Sequence, residues 1–315
     1  MKNLSNLIVP RINVNSDSSI NETIDLIQEF DFNAFILFAT EKVVFKEESK
    51  FSLERLNYTR EQLEKNSDKD ILFFIDAENG LGHRCSDYNE LPRMEFNEIN
   101  LELYESQISF NLAPVVDINE FREKILEERC YSNNPNEVTK IANLFIEAAY
   151  SNNVIPCIKH FPGHGAAKGD THTQIVNSDL SLDRINSIHL KPFLDLIDKV
   201  ELIMMNHVHY SSIDTESVPA SMSKNIMDIL RNQNYKGIII SDSIRMGGIA
   251  NKYTQEKIIE EFILNGGDLI LDPLNPKDAI AILNKIYKAG NEDVIENKIN
   301  LIDNLKSKAI QYLAR

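Results

Sequence analysis

Between Cys157 and Gln174 the chain reads CIKHFPGHGAAKGDTHTQ. Two Lys, three His and one Asp share this stretch with Pro162 and three glycines. Imidazoles titrate near neutral pH, and a carboxylate beside one favours its protonated form. The segment therefore holds groups for moving protons and for gripping a polar ligand. Its glycines suit it to a bending loop and not to regular structure. Elsewhere, polar residues stand at the C-terminal ends of apolar runs: Asp76, Asp117, Lys159 with His160, Asn206 with His207, Asp242 and Asp272. Any one of them can simply mark where a strand stops. As a set they exceed what surface loops need, and they point to a shared site.

The elements that must position these residues are short apolar runs at 7–12, 33–38, 71–76, 110–117, 155–160, 202–207, 237–242 and 268–273. Helical patterns separate them, for example EVTKIANLFIEAAYSNN (137–153) and TQEKIIEEFILNGG (254–267), the second closed by a Gly-Gly stop. Continuous apolar strands alternating with helices indicate a parallel sheet. Eight such units predict an α/β fold, a single TIM-like (β/α)8 barrel over residues 1–315, whose active face is formed by the C-terminal strand ends. A doubly wound sheet is the alternative that periodicity leaves open. Residues after about 290 read as a C-terminal helical extension.

The chain has 315 residues, 43% of them hydrophobic, and a formal net charge of −15. That acidity argues against nucleic acid as a partner. No run of about 18 apolar residues occurs, so no membrane span is expected. Cys85, Cys130 and Cys157 have neither paired nor metal-like spacing. With an N-terminus lacking an apolar leader, they predict a cytoplasmic location.

KHFPGHG (159–165) followed by DTH (170–172) resembles the signature of the family 3 glycoside hydrolases, in particular the β-N-acetylhexosaminidases. Four further stretches resemble the family in the same order: IDAENGLGHR (75–84), NLAPVVDI (111–118), ERCYSNNP (128–135) and IIISDSIRMGGI (238–249). MMNHVHY (204–210) and NGGDLIL (265–271) are fainter echoes. The sequence departs from the family at Asn79, Leu81, Asn206 and Ser243.

The resemblance implies a glycosidase acting on a small carbohydrate that carries terminal β-linked N-acetylglucosamine. Asp242 would be the nucleophile, a role suited to a carboxylate at the end of a rigid strand. An Asp in that place can equally cap the next helix. His172 with Asp170 would be the acid/base pair, and the same Asp-Thr-His can be a cap or a solvated turn. Asp76, Arg84, Arg129, Lys159 and His160 would bind sugar hydroxyls. His164, His207 and His209 read as structural, and Glu78 and Asp117 as buried supports. The glycine-rich loop is expected to close over bound sugar. No cofactor or metal is implied, and the oligomeric state is not specified. Three alternatives are carried forward: a non-catalytic sugar-binding barrel, a phosphorylase that uses the neutral imidazole to admit phosphate, and a metal-dependent hydrolase built on His207 and His209.

Overall fold

Strands form where apolar runs can be buried on both faces, and helices where Ser or Thr side chains supply the missing N-terminal acceptors. In the computed structural model, which describes residues 3–40, 50–92, 94–169, 171, 174 and 176–315, seven parallel strands appear. They are β1 (Arg11–Asn13), β2 (Ala34–Phe38), β3 (Leu72–Ile75), β4 (Phe110–Asn111), β5 (Ile155–Phe161), β6 (Leu202–Met205) and β7 (Ile238–Ser241). Their hydrogen-bonded order is the sequence order. This follows from consecutive strand–helix–strand crossovers of one hand. Several of the helices begin on side-chain caps. Ser16 accepts from Ser19 N–H before Asp17–Phe30, and Thr254 accepts from Lys257 N–H before Gln255–Leu264.

The chain divides into two compact units. One comprises Met1–Leu112, Ala148–Ile155 and Leu271–Arg315; the other comprises Ala113–Glu147 and Pro156–Ile270. In the first unit Asn13 pairs with Phe38, Ala34 with Leu72 and Ile75 with Asn111. In the second, Cys157 and Ile238 both pair with Leu202, while Phe161 and Ser241 both pair with Met205. Pairing moves from Lys159–Met204 directly to Phe161–Met205, so His160 is the extra residue of a β-bulge. Bulges re-aim side chains at the ends of strands, which is where this one lies.

The expectation of a closed eight-stranded barrel is met in part. The fold is α/β with a parallel sheet, but the sheet has seven strands, and among the described residues its order does not return from β7 to β1. The eighth run, expected over 268–273, yields only the two-residue strand Ile270–Leu271 and a bridge from Leu269 to Ile240. Asp272 turns into the left-handed region at φ 52° and Pro273 follows it, so the run cannot extend. No helix among the described residues is long and apolar enough to cross a membrane.

The expected C-terminal extension is the helix Glu292–Leu313, packed into the first unit by Ile295, Ile302, Leu305 and Ala309. It also buries a cation. Lys306 Nζ donates to Asn6 Oδ1 at 2.9 Å and Asn33 Oδ1 at 2.8 Å. Burial pushes its ammonium down to about 7. Between that value and the ordinary lysine range the unfolded chain binds a proton that the folded chain does not, so stability contributed here rises with pH. The stability difference between wild type and Lys306→Met should grow in favour of wild type by up to about 1.4 kcal/mol per pH unit from pH ~7 to ~9. Urea denaturation at several pH values measures it, and a pH-independent difference would contradict the assignment.

Candidate active site

In the second unit the site is assembled around Asp117, which has no exposed surface. Its carboxylate accepts three hydrogen bonds from the KHFPGHG turn. His160 N–H reaches Oδ2 at 3.2 Å and His160 Nδ1 reaches the same oxygen at 2.7 Å, while His164 N–H reaches Oδ1 at 2.7 Å. Burial alone would raise this carboxyl, but His160 and His164 together hold it below the usual carboxylate range. Arg129 Nη2 donates toward His160 Nε2 at 3.4 Å, so Nε2 accepts and Nδ1 carries the proton that faces Asp117. Asp117 thus fixes the ring plane, the tautomer and the following backbone together.

The turn is tied down on its other side by Asn206 and Tyr210. Asn206 Nδ2 donates to the His160 carbonyl at 3.0 Å and to Tyr210 Oη at 2.8 Å, and Tyr210 Oη donates to the Gly163 carbonyl at 2.9 Å. The departure from the family pattern at Asn206 is therefore a strut under the turn. Gly165 meets a different constraint. A Cβ there would lie 2.0 Å from the Ile118 carbonyl oxygen, so only glycine allows this approach. Lys159, 1% exposed, precedes the bulge on β5.

Asp242 follows β7 directly and is half-buried. Its backbone N–H donates to Met205 O at 2.9 Å and its Oδ1 accepts from Ser243 N–H at 2.7 Å. His207 secures the next peptide, donating from Nε2 to the Ser243 carbonyl at 3.0 Å and accepting from Ser221 Oγ at Nδ1 at 2.7 Å. Both nitrogens of His207 are thereby engaged, which removes it from the metal cluster weighed above. Among the described residues no group of three His, Cys, Asp or Glu is placed to hold a metal. His164 lies within electrostatic reach of both Asp242 and Arg129. Burial, reinforced by His160, pushes its imidazole down to about 4, so it is neutral at pH 7. An open cleft of about 460 Å³ beside the turn after Asp242 is lined by Gln174, Asn177, Ser217, Gly248, Asn251 and Lys252.

In the first unit a second set of expected residues meets. Arg84 Nη2 lies 3.6 Å from Asp76 Oδ2, and Arg84 Nε donates to the Asp76 carbonyl at 3.3 Å. The peptide after Asp76 is clamped by Asn111, whose amide both accepts from Ala77 N–H and donates to Ala77 O, at 3.2 and 3.1 Å. Sequence reasoning missed Arg11. Its guanidinium forks onto Asp272 at 3.0 and 2.6 Å and stacks 3.9 Å from the Phe38 ring, over which Arg84 also lies at 5.7 Å. The signal was a charged residue inside the apolar run LIVPRI. Asp170 and His172 lie outside the described residues.

Replacing Asp117 by Asn leaves an amide group facing backbone and imidazole donors. Asp117→Asn should lower stability by about 2–4 kcal/mol and reduce kcat/KM on the substrate by about 10²-fold through misplacement of His160. The wild-type stabilisation is present above the ordinary carboxylate value of 3.8 and is lost as pH falls below it. Denaturation at pH 3 and pH 7 and steady-state kinetics at pH 7 check these effects, and an unchanged variant would refute the role given to this carboxylate.

The beta-hexosaminidase of Idiomarina loihiensis is 30% identical over 210 residues, covering 66% of this chain and 63% of the relative. Beta-hexosaminidase A of Pseudoalteromonas piscicida is 32% identical over 219 residues, covering 64% of this chain and 37% of the relative. The chain thus spans less than two thirds of the length of these two relatives. A glycoside hydrolase family 3 beta-N-acetylglucosaminidase from Paenibacillus shares the fold with a TM-score of 0.82 at 22% identity, covering 98% of this chain and 62% of that one. A beta-N-acetylhexosaminidase from Beutenbergia cavernae does so with a TM-score of 0.80 at 20% identity, covering 97% of each chain. The model of the glycosyl hydrolase family 3 N terminal domain matches residues 2–305, and the chain belongs to that family.

Proposed function

We propose that the chain is a retaining β-N-acetylhexosaminidase that releases terminal N-acetylglucosamine from oligosaccharides or cell-wall muropeptides. The observation that carries this is the placing of Asp242. A half-buried carboxylate, its turn pinned by His207 and Met205, stands at the end of β7 in the unit that also holds the Lys159–His160 bulge. A nucleophile must be held still, and a strand end with two backbone anchors does that. The family and the names of the relatives support the substrate class.

The Asp242 carboxylate attacks the anomeric carbon while the bond to the leaving oxygen breaks and His172 gives that oxygen a proton. Water then gives a proton back to His172 and its oxygen displaces Asp242, with net retention. Asp170 holds the imidazole in its donating form. Lys159, His160 and Arg129 in the second unit, and Asp76 and Arg84 in the first, carry the donors and acceptors that sugar hydroxyls need, which supports a substrate-binding role for each. No metal or cofactor takes part. The proposal keeps one catalytic domain of the TIM-like barrel type, supported by the span of the family model. A reducing, cytoplasmic setting fits the three free cysteines.

Purified protein should turn over a nitrophenyl β-N-acetylglucosaminide, and Asp242→Ala should lose at least about 10³-fold in kcat. Mass spectrometry after incubation with a slow fluorinated analogue should find the sugar esterified on the peptide bearing Asp242. Wild-type protein that cleaves no β-N-acetylglucosaminide, or an Asp242→Ala variant with full activity, would overturn the assignment.

A further inference from the structure

We infer that Thr171 is a positioning residue, fixed from two sides by His164 and Gly248 so that it anchors its sequence neighbours Asp170 and His172. The inference rests on His172 being the acid/base, as set out under the proposed function. Thr171 is 1% exposed although it belongs to a stretch rich in glycine and polar residues. A side chain so placed is held by packing and hydrogen bonds and not by solvent.

Its hydroxyl meets His164 Nε2 at 2.9 Å. His164 is in turn fastened through its backbone N–H to Asp117, so the hydroxyl is referred to the same carboxylate that orients His160. The neutral state of the His164 ring keeps this contact unaltered across ordinary working pH. On the other side the Thr171 carbonyl accepts from Gly248 N–H at 3.0 Å. A Cβ on Gly248 would lie 2.3 Å from that carbonyl oxygen and 2.6 Å from the Gln174 oxygen, so glycine is what permits the approach. Gly248 lies in the short helix Gly247–Ala250 that follows the turn after Asp242, and that turn is braced by Met246 N–H donating to Ser243 O at 3.1 Å. Thr171 is thus where the Asp117 network and the Asp242 turn meet. Under the proposed function, a proton donor one residue from this junction would act on the same glycosidic bond as Asp242.

A positioning role has a signature that loss of folding lacks. Proton donation matters for a poor leaving group and matters little for one that departs as a stable anion. The variants are Thr171→Val, which deletes the hydroxyl and keeps the branched shape, Thr171→Ser, which keeps it, and Gly248→Ala, which pushes on the carbonyl. Each is assayed for kcat/KM on methyl and dinitrophenyl β-N-acetylglucosaminides, with thermal denaturation alongside. Thr171→Val and Gly248→Ala should lose about 30-fold or more on the methyl glycoside and stay within about threefold of wild type on the dinitrophenyl one. Thr171→Ser should restore most of the methyl activity. Equal losses on both substrates, or no loss on either, would overturn the positioning role while leaving the hydrolase assignment intact. If Thr171→Val does not fold, Gly248→Ala decides by the same ratio. Wild type inactive on both glycosides would overturn the inference together with the function it rests on.

Discussion

A carboxylate with no access to water must have its charge answered by donors, and in this chain that necessity organises the second unit. Asp117 is the carboxylate, and His160 and His164 are the donors. Because desolvation of an unanswered charge costs several kcal/mol, roughly, the turn that supplies the donors has no competing arrangement of similar energy. The ring of His160 and the path of residues 160–164 both follow from satisfying one buried charge. The strut from Asn206 through Tyr210 to Gly163 secures the same turn with neutral groups.

The first unit solves a different electrostatic problem. Arg11 and Arg84 both lie over Phe38, where two guanidinium groups would repel. Asp272 answers Arg11 by a two-point fork and Asp76 answers Arg84 more loosely at 3.6 Å. A loose pair can exchange its partner for a ligand hydroxyl at little cost, whereas the buried fork is committed to structure. This difference suits Arg11 to support, and it is in keeping with the sugar-binding role proposed for Asp76 and Arg84.

Much of this was legible in the sequence. Strands buried on both faces read as apolar runs, so seven of the eight expected runs became members of the parallel sheet. The eighth did not, because Asp272 and Pro273 end it within two paired residues, a backbone effect that hydropathy does not register. Asp242, Lys159 and His160 stand out in the sequence because they lie where apolar runs end. The partner of Arg11 is 261 positions away, and no local pattern carries such a distance. Thr171 was hidden for another reason. Its neighbours are titratable and drew attention as chemistry, while a hydroxyl between them gave no sign of being buried.

The most direct test is a crystal structure with N-acetylglucosamine or a non-hydrolysed analogue bound. The account predicts sugar hydroxyls within hydrogen-bond distance of Lys159 Nζ and His160 Nε2, with the Asp242 carboxylate about 3–3.5 Å from the anomeric carbon. A sugar bound away from the bulge on β5, or an Asp242 carboxylate turned from the anomeric carbon while His160 remains on Asp117, would contradict it.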